Sequence, residues 1–299
     1  MSSNLTIVIP CYNEEENIPV FFPKLQEFVK KHNFQVLAIN DGSKDNTLQE
    51  LQKFARDEHI KIISHKCNKG YGGAIKTGLR VVTTEFAITI DSDGQHRLED
   101  VLKCYNYIQA TDADMVVGAR QNNESGGYRT LGKWVIRKFA SSLLELPVKD
   151  LNSGMKCYRM SETLNYLDLC PDTMAYSDCI LLLMVNDRKL VTETAIEIAP
   201  RTAGKSTIGT KTAIITLAEI LNLAVLLRPL TTFFRLAICF LLLGLIWGIF
   251  TYTRSWTITS ASVMLIMLGV LSLMLGLLCE QLSQIRRKLA KNMGSRDNP

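Results

Sequence analysis

Apolar and polar positions alternate in two different periods along the first 209 residues of the chain. Short, nearly continuous apolar runs of strand length stand at residues 5–10, 34–40, 61–64, 86–90 and 115–118. Amphipathic stretches with helical spacing lie at residues 15–31, 44–57 and 74–82. Apolar strands that alternate with helices predict a mostly parallel sheet covered on both faces, which is a Rossmann-like α/β fold.

The pattern changes near residue 217, where charged residues become scarce and two long apolar blocks follow. Residues 236–253 are 18 uncharged positions in a row, and residues 255–279 are 25. A helix needs about 20 mostly apolar residues to cross a bilayer, so each block is long enough. We predict two transmembrane helices at about residues 233–253 and 259–279; the alternative is a pair of buried core helices.

These patterns divide the chain into four predicted parts. Residues 1–209 form the α/β domain, and the 47% hydrophobic content suffices for its core. Residues 210–228, interrupted by few polar positions, are predicted to form an amphipathic helix at the membrane interface. The two transmembrane helices occupy residues 229–281, and a basic tail follows at residues 282–299.

Basic residues around the two spans predict their orientation. Seven flank the open end of the hairpin: Arg228, Arg235, Arg286, Arg287, Lys288, Lys291 and Arg296. The loop at residues 251–259 holds only Arg254. Because Lys and Arg gather on the cytoplasmic side, the α/β domain and both termini are expected there. The net charge of +5 suits an anionic membrane surface; the basic residues lack the interleaved aromatics of nucleic-acid binding.

The eight cysteines indicate the same compartment. They form no C-x-x-C pair and no Cys/His cluster, and no signal peptide precedes the first strand pattern. Reduced and mostly buried thiols are therefore expected.

Polar residues follow three of the predicted strands. The first strand leads into Pro10-Cys11-Tyr12-Asn13-Glu14, the second into Asn40-Asp41-Gly42-Ser43, and the fourth into Asp91-Ser92-Asp93-Gly94-Gln95. Ligands of parallel sheets bind beyond the carboxyl ends of the strands. Each residue alone could be a cap or turn residue, but their coincidence predicts a binding site.

Asp91 and Asp93 are the sharpest chemical signal. Two carboxylates two residues apart, after a buried strand, can hold a hard divalent cation such as Mg²⁺ or Mn²⁺ against a diphosphate. Gln95 can add a carbonyl oxygen as a third ligand. A D-x-D pair is common by chance, so its place after a strand carries the prediction.

A glycine-rich segment, Gly70-Tyr71-Gly72-Gly73, precedes a predicted helix. Neither the P-loop spacing nor the dinucleotide fingerprint fits, because Ile75 stands where each needs glycine. One interpretation is a helix N-terminus whose backbone N–H groups approach a nucleotide; the other is a tight turn.

Four motifs resemble the family 2 inverting glycosyltransferases of GT-A fold, and within them the polyprenyl-phosphate glycosyltransferases. They are Pro10-Cys11-Tyr12-Asn13-Glu14, Asn40-Asp41-Gly42-Ser43, Asn68-Lys69-Gly70 and Asp91-Ser92-Asp93-Gly94-Gln95-His96. The resemblance covers residues 5–210 and continues into the paired spans. It implies a nucleotide-sugar donor, such as a UDP- or GDP-hexose, a polyprenyl phosphate acceptor and an inverting, metal-dependent transfer; homo-oligomerisation stays open.

The resemblance also implies site residues. Donor-binding positions correspond to Pro10, Tyr12, Glu14, Asp41, Asp91 and Ser92; the metal ligands to Asp91, Asp93 and Gln95. Catalytic positions correspond to Asp93, Arg120 and Arg201. The acceptor side corresponds to Ser153 within Asp150-Leu151-Asn152-Ser153-Gly154-Met155-Lys156, and a phosphate loop to Arg201, Lys205 and Ser206. Thr207 replaces the usual lysine there, and Lys205 or Lys211 can supply that charge.

An acceptor that is already an anion changes what the protein must supply. A hydroxyl acceptor needs a general base, whereas a phosphate needs positioning and relief of charge repulsion, which arginine provides. Arg129 and Arg137 lie between the donor motifs and the spans and are expected to bind the acceptor. The alternatives are transfer to a hydroxyl acceptor and a non-catalytic membrane scaffold; the sugar donor and the lipid stay open.

Overall fold

The computed structural model describes residues 4–120, 147–151, 153–197 and 229–294, which fall into two compact units. The first unit holds the α/β part up to residue 197, and the second holds the two long C-terminal helices.

One seven-stranded sheet forms the centre of the first unit. Its strands are β1 (Leu5–Cys11), β2 (Gln35–Asn40), β3 (Ile60–Ser64), β4 (Phe86–Thr89), β5 (Met115–Arg120), β6 (Lys156–Arg159) and β7 (Val191–Ile196). They are arranged in the order β3-β2-β1-β4-β6-β5-β7, and all pairs are parallel except those that involve β6. The predicted mostly parallel sheet is confirmed.

Among the described residues of the first unit, six helices connect the strands. They are α1 (Ile18–His32), α2 (Thr47–Gln52), α3 (Tyr71–Arg80), α4 (Leu98–Thr111), α5 (Met160–Thr163) and α6 (Tyr176–Asn186), with a 3₁₀ turn at Leu164–Leu169. The helix predicted at residues 44–57 is shorter, because the chain continues after Gln52 in tight turns such as Phe54 N–H to Leu51 C=O.

Both faces of the sheet are covered, as the apolar strands predict. Ile7 and Ile9 on β1 belong to a core that also contains residues of α1 and α4. Val8, between them, points to the other face, where a Cβ atom on Gly78 of α3 would lie 2.4 Å from its Cγ1. Alternation along one strand therefore seats helices on opposite sides.

The carboxyl ends of β1 and β4 form the switch point of the sheet. From β1 the chain builds outward through β2 to β3, and it then returns to place β4 on the other side of β1. The connecting loops diverge there and leave a crevice, which is where ligands bind in such sheets.

The second unit consists of α7 (Pro229–Ser255) and α8 (Ser260–Gly294). Both are long and apolar enough to cross a membrane, with mean hydropathies of 2.3 and 2.5. Only 11% and 22% of their apolar windows are buried, which argues against the alternative of buried core helices. The helix α8 continues past the predicted end of the second span, so residues 282–294 of the predicted tail are helical.

Candidate active site

The loops that follow β1 and β2 are joined by hydrogen bonds at the carboxyl edge of the sheet. The Asn13 N–H donates to Ser43 Oγ at 3.1 Å, and the Lys44 N–H donates to Asn13 Oδ1 at 2.9 Å. The Glu14 N–H donates to Thr47 Oγ1 at 2.7 Å. Asn13 adopts a left-handed backbone (φ 56°), which asparagine tolerates. The two loops therefore form one rigid wall of the crevice.

Three predicted donor-binding residues lie on this wall. The Tyr12 residue is 41% exposed, so its ring is available to a ligand. Pro10 and Glu14 are half-buried, and the Glu14 carboxylate accepts a hydrogen bond from Asn17 Nδ2 at 2.5 Å. The structure brings these residues together at the edge that the sequence predicts.

Asp41 lies behind this wall and is 3% exposed. Its Oδ1 accepts from the Lys69 N–H at 2.9 Å and lies 2.7 Å from His65 Nδ1. Its Oδ2 accepts from the Gly70 N–H at 2.9 Å. Asp41, a predicted donor-binding residue, is thus hydrogen-bonded to the loop that follows β3.

The interpretation of the glycine-rich segment as nucleotide-facing amides is wrong for Gly70 and Gly73. The Gly70 N–H donates to Asp41, and the Gly73 N–H donates to the Asp172 carbonyl at 3.1 Å. A Cβ atom on Gly70 would lie 2.5 Å from that same carbonyl, and one on Gly72 would lie 2.5 Å from the Pro171 carbonyl. The glycines are needed because the chain at residues 171–173 packs against them.

Asp91 is oriented by two side chains that are not among the predicted site residues. Tyr71 Oη donates to Asp91 Oδ1 at 3.3 Å, and His96 Nε2 lies 3.4 Å from Oδ2. Burial favours a raised pKa for Asp91, but His96, Tyr71 and the charge of Arg120 outweigh it, and the pKa is lowered. Asp91 is therefore a carboxylate at neutral pH.

Gly154 makes room for that carboxylate. A Cβ atom on Gly154 would lie 2.5 Å from Asp91 Oδ2, so a side chain at this position would displace the carboxylate. Thr89 Oγ1 donates to the Gly154 carbonyl at 2.8 Å and holds the backbone in this position. The S-G pair in the acceptor motif was the only sequence signal for this contact.

The remaining residues of the D-x-D loop differ in exposure. Asp93 is half-buried, and its Oδ1 accepts from the Gln95 N–H at 3.1 Å. Ser92 is 4% exposed. The Ser92 side chain thus faces the protein interior rather than the crevice.

The side-chain oxygens of the D-x-D loop suit a divalent cation that a diphosphate also binds. No group of three or more His, Cys, Asp and Glu side chains that could hold a metal ion occurs among the described residues. Two carboxylates, Asp91 and Asp93, together with the Gln95 carbonyl leave positions for diphosphate oxygens and water, as Mg²⁺ and Mn²⁺ prefer. The residues present therefore fit such an ion.

Arg120, at the end of β5, forms a bidentate ion pair with Asp150. Its Nε donates to Asp150 Oδ2 at 2.6 Å and its Nη2 to Oδ1 at 2.8 Å. Burial favours a raised pKa for Asp150, but the Arg120 bonds and charge lower it. Asp91 and Asp150 both raise the pKa of Arg120, with the Asp150 hydrogen bond the largest cause. The guanidinium thus lies within the field of the D-x-D loop.

Lys156 fixes the turn between Asp150 and β6, a role that motif reasoning missed. It is 1% exposed, and its Nζ donates to the carbonyls of Leu151 at 3.0 Å and Ser153 at 2.7 Å, and to Ser177 Oγ. Burial lowers its pKa to about 8. Ser153 itself is fully buried, with its hydroxyl bonded within the turn to Met155.

Several predicted residues lie outside the described part of the chain, and their roles stay predictions. They are Arg129, Arg137, Arg201, Lys205, Ser206 and Lys211, together with the predicted interfacial helix at residues 210–228.

Comparison with known families agrees with the motifs. Residues 6–164 match the family described as glycosyl transferase family 2, and residues 228–285 match the GtrB C-terminal hairpin. The chain belongs to glycosyl transferase family 2, and the hairpin match agrees with the two predicted spans.

Two curated relatives are named as polyprenyl-phosphate sugar transferases. A dolichyl-phosphate beta-glucosyltransferase of Trichomonas vaginalis is 28% identical over 143 residues, which are 44% of this chain and 44% of the relative. An undecaprenyl-phosphate 4-deoxy-4-formamido-L-arabinose transferase of Pectobacterium atrosepticum is 28% identical over 160 residues, 52% and 49% of the two chains. The chain spans about half the length of these relatives.

The fold is also that of a solved structure, glucosyl-3-phosphoglycerate synthase from Mycobacterium tuberculosis. The two superpose with a TM-score of 0.59 at 16% identity, over 74% of this chain and 78% of the other. That crystal structure contains Mn²⁺, uridine diphosphate and phosphoglyceric acid. The predicted GT-A fold is confirmed.

Proposed function

We propose that the protein transfers a hexose from a UDP- or GDP-linked donor to a polyprenyl phosphate at the cytoplasmic face of a membrane. The observation that carries this proposal is the ionised Asp91, held by Tyr71 and His96 beside Arg120 at the switch point of the sheet. The names of the two relatives support a lipid phosphate as acceptor.

The nucleoside part of the donor is assigned to the wall formed by the loops after β1 and β2. Tyr12 presents an exposed aromatic ring for stacking on a base. Pro10 and Glu14 flank this ring, and the hydrogen bonds between the two loops keep all three in place before the donor arrives.

The diphosphate is assigned to the D-x-D loop and Arg120. Mg²⁺ or Mn²⁺ bound between Asp91, Asp93, Gln95 and the diphosphate would offset the negative charge that builds as the sugar leaves. Arg120 adds a permanent positive charge that acts on Asp91, and its pair with Asp150 keeps the guanidinium from turning away.

The transfer step is a direct displacement. An oxygen of the lipid phosphate attacks the anomeric carbon, and the bond from that carbon to the diphosphate breaks, its electron pair leaving with the nucleoside diphosphate. The acceptor is already an anion and needs no general base; attack from the opposite face inverts the configuration. We assign the binding of the acceptor phosphate to Arg129, Arg137, Arg201, Lys205 and Ser206.

The paired helices α7 and α8 serve as the membrane anchor in this proposal. A transmembrane hairpin holds the catalytic unit at the membrane, where the phosphate of a polyprenyl lipid lies at headgroup height. The basic residues at the open end of the hairpin favour the cytoplasmic face.

A transfer assay on the full chain in detergent tests the proposal. Labelled UDP- and GDP-sugars are incubated with undecaprenyl and dolichyl phosphates in the presence of Mn²⁺ or Mg²⁺. We expect one donor to give a lipid-linked sugar, excess EDTA to abolish transfer, and Asp93→Asn to lower the rate by at least about 100-fold.

Asp112→Asn is the matched control, because this exposed carboxylate pairs with Arg159 at the far end of α4 and should leave the rate unchanged. Transfer to free hydroxyl acceptors in place of lipid phosphates would contradict the acceptor assignment. Full activity in EDTA would contradict the metal, and inactivity with every donor would favour a scaffold.

A further inference from the structure

His65 connects three elements behind the wall of the crevice. It follows β3, and its Nδ1 lies 2.7 Å from Asp41 Oδ1 at the end of β2. Its Nε2 lies 3.0 Å from Thr77 Oγ1 on α3. The side chains of His65 and Asp41 are 5% and 4% exposed, so water does not replace these bonds.

The hydrogen-bond partners of His65 determine which of its ring nitrogens carries a hydrogen. An ionised carboxylate only accepts hydrogen bonds, so the His65 nitrogen that faces Asp41 must carry the hydrogen. The Thr77 hydroxyl also lies 3.0 Å from the Gly73 carbonyl, so its single proton goes either to that carbonyl or to His65 Nε2. In both arrangements the Nδ1–H of His65 donates to Asp41.

Asp41 in turn holds the loop at residues 67–70. Its two oxygens accept from the Lys69 and Gly70 N–H groups, each at 2.9 Å. The same loop touches the backbone after β2, since a Cβ atom on Gly42 would lie 2.5 Å from the Cys67 carbonyl carbon. Both Gly42 and Gly70 have left-handed backbones, with φ of 67° and 90°. The loop therefore has one shape, and the Asp41 carboxylate is its central bond.

We propose that His65 is a positioning residue of the donor site, acting through Asp41 on the loop at residues 67–70. Asp41 then shapes this loop in addition to its predicted role in binding the nucleoside. The inference rests on the proposed function, since it assigns the loop beside the wall to the nucleoside part of the donor. Without the hydrogen bond from His65, the buried Asp41 carboxylate lacks one partner. The hydrogen bonds that it accepts from the Lys69 and Gly70 N–H groups then weaken.

Substitution of His65 by Asn or by Gln tests the roles of its two ring nitrogens separately. In His65→Asn the side-chain N–H₂ stands near the Nδ1 position and can still donate to Asp41, whereas in His65→Gln it stands near Nε2 and reaches only Thr77. We expect His65→Gln to weaken binding of the nucleoside diphosphate and raise the donor KM by about tenfold, the loss of one bond to a charged group. His65→Asn should remain within about threefold of the parent.

The turnover number distinguishes positioning of the donor from general damage. Because Tyr71 lies on α3, after the loop at residues 67–70, and keeps its own bond to Asp91, kcat at saturating donor should change by less than about twofold in both variants. His59→Asn is the matched control: this histidine precedes β3, and its Nδ1 bonds to the Phe34 carbonyl at 2.9 Å, away from the crevice. It should leave the donor KM unchanged.

Backbone amide exchange gives a readout that needs no donor. On the full chain in detergent, exchange at Lys69 and Gly70 should be faster by about tenfold or more in His65→Gln than in the parent, with His65→Asn between them. If the parent binds neither UDP nor GDP with Mn²⁺, the proposed function fails, and the exchange data alone decide the role of His65.

Equal losses in His65→Asn and His65→Gln, or parent-like exchange and donor KM in His65→Gln, would overturn the proposal. Should His65→Gln not fold, Thr77→Val and Thr77→Ser replace it. Thr77→Val then should raise the donor KM about threefold and Thr77→Ser should restore it, because only serine keeps the hydroxyl beside Nε2. A parent-like donor KM in Thr77→Val would overturn the proposal in that case.

Discussion

Several single residues matter in this protein because they let the backbone approach a functional side chain closely. Gly154 is the sharpest case, because the space that a side chain would take is filled by the Asp91 carboxylate. Asp91 lies between that backbone and its polar partners Tyr71 and His96. Its orientation is therefore decided by three residues from three different segments, and only one of them belongs to the D-x-D loop.

Gly154→Ala is predicted to displace the Asp91 carboxylate. The added methyl group would lie 2.5 Å from Oδ2, so the carboxylate must move away from Tyr71 and His96. We expect the transfer rate to fall by at least about 100-fold, as for loss of a positioned charge stabiliser.

Gly118→Ala is the control for crowding alone, since its Cβ atom would lie 3.0 Å from Ile196 methyl groups and not at Asp91. It should lower the thermal midpoint yet retain most of the rate per folded molecule. Equal rates for Gly154→Ala and the parent in the steady-state assay would contradict the role assigned to Gly154.

Among the elements, β6 does most to complete the site. It enters the sheet antiparallel between β4 and β5, with Ile88 opposite Cys157 and Val116 opposite the same residue. The turn that precedes it thereby lies beside the ends of both parallel strands. Lys156, the first residue of β6, ties that turn to α6 through Ser177 and carries a buried positive charge to do so.

The buried ammonium of Lys156 predicts a pH dependence of stability. Burial lowers its pKa from 10.5 to about 8, so between these values the folded protein releases a proton that the unfolded chain still holds. Stability rises with pH wherever the unfolded state binds more protons. We expect the unfolding free energy of the parent minus that of Lys156→Met to rise by roughly 3 kcal/mol over this window and to be flat below it.

Urea unfolding of the full chain in detergent, followed by circular dichroism, measures this difference. Lys189→Met provides a control of opposite sign, because the hydrogen bond with Glu162 raises the pKa of Lys189, and its contribution should be lost at high pH. A parent-minus-Lys156→Met difference that falls or stays constant from pH 8 to 10.5 would contradict a buried charged lysine.

At the scale of the whole molecule, the chain joins an α/β unit of family 2 to a pair of apolar helices. The helices α7 and α8 pack closely through glycines; a Cβ atom on Gly269 would lie 2.6 Å from Leu241, and one on Gly244 would lie 2.8 Å from Ile266. Small residues at such contacts are typical of helix pairs in membranes. Trp256 and Tyr252 pair their rings near the closed end, where amphipathic aromatics suit a membrane interface.

The orientation of this hairpin is predicted by its flanking charges. If the open end is cytoplasmic, an epitope inserted at Arg254 should be accessible only from the far side, and a C-terminal epitope only from the cytoplasm. Antibody or protease accessibility in sealed vesicles of known orientation measures both. Detection of the C-terminal epitope on intact cells would refute this topology, and a cytoplasmic tag on an unrelated protein controls for leakage.

Much of the fold could be predicted from sequence because its strands and helices carry local signals. The parallel strands β1 to β5 are largely apolar runs, and the D-x-D loop follows β4 directly. The motifs of β1, β2 and β4 were expected at one edge because parallel strands end at the same edge. The short strand β6 gave no such signal: four residues beginning with a lysine do not show an alternation that predicts a strand.

The sequence by itself determined the class of the protein: alternating α/β elements, charged residues at strand ends, and two apolar blocks that match a bilayer. These features depend on neighbours within a few residues, so the local pattern records them. Only the tertiary structure decided what the individual side chains do. Asp41 is hydrogen-bonded to the loop after β3, and residues 171–173 pack against the glycine-rich turn. Gly154 contacts the Asp91 carboxylate, and Lys156 holds the turn that contains Gly154. Such contacts join residues far apart in the chain, and their geometry follows from packing, which no local pattern contains.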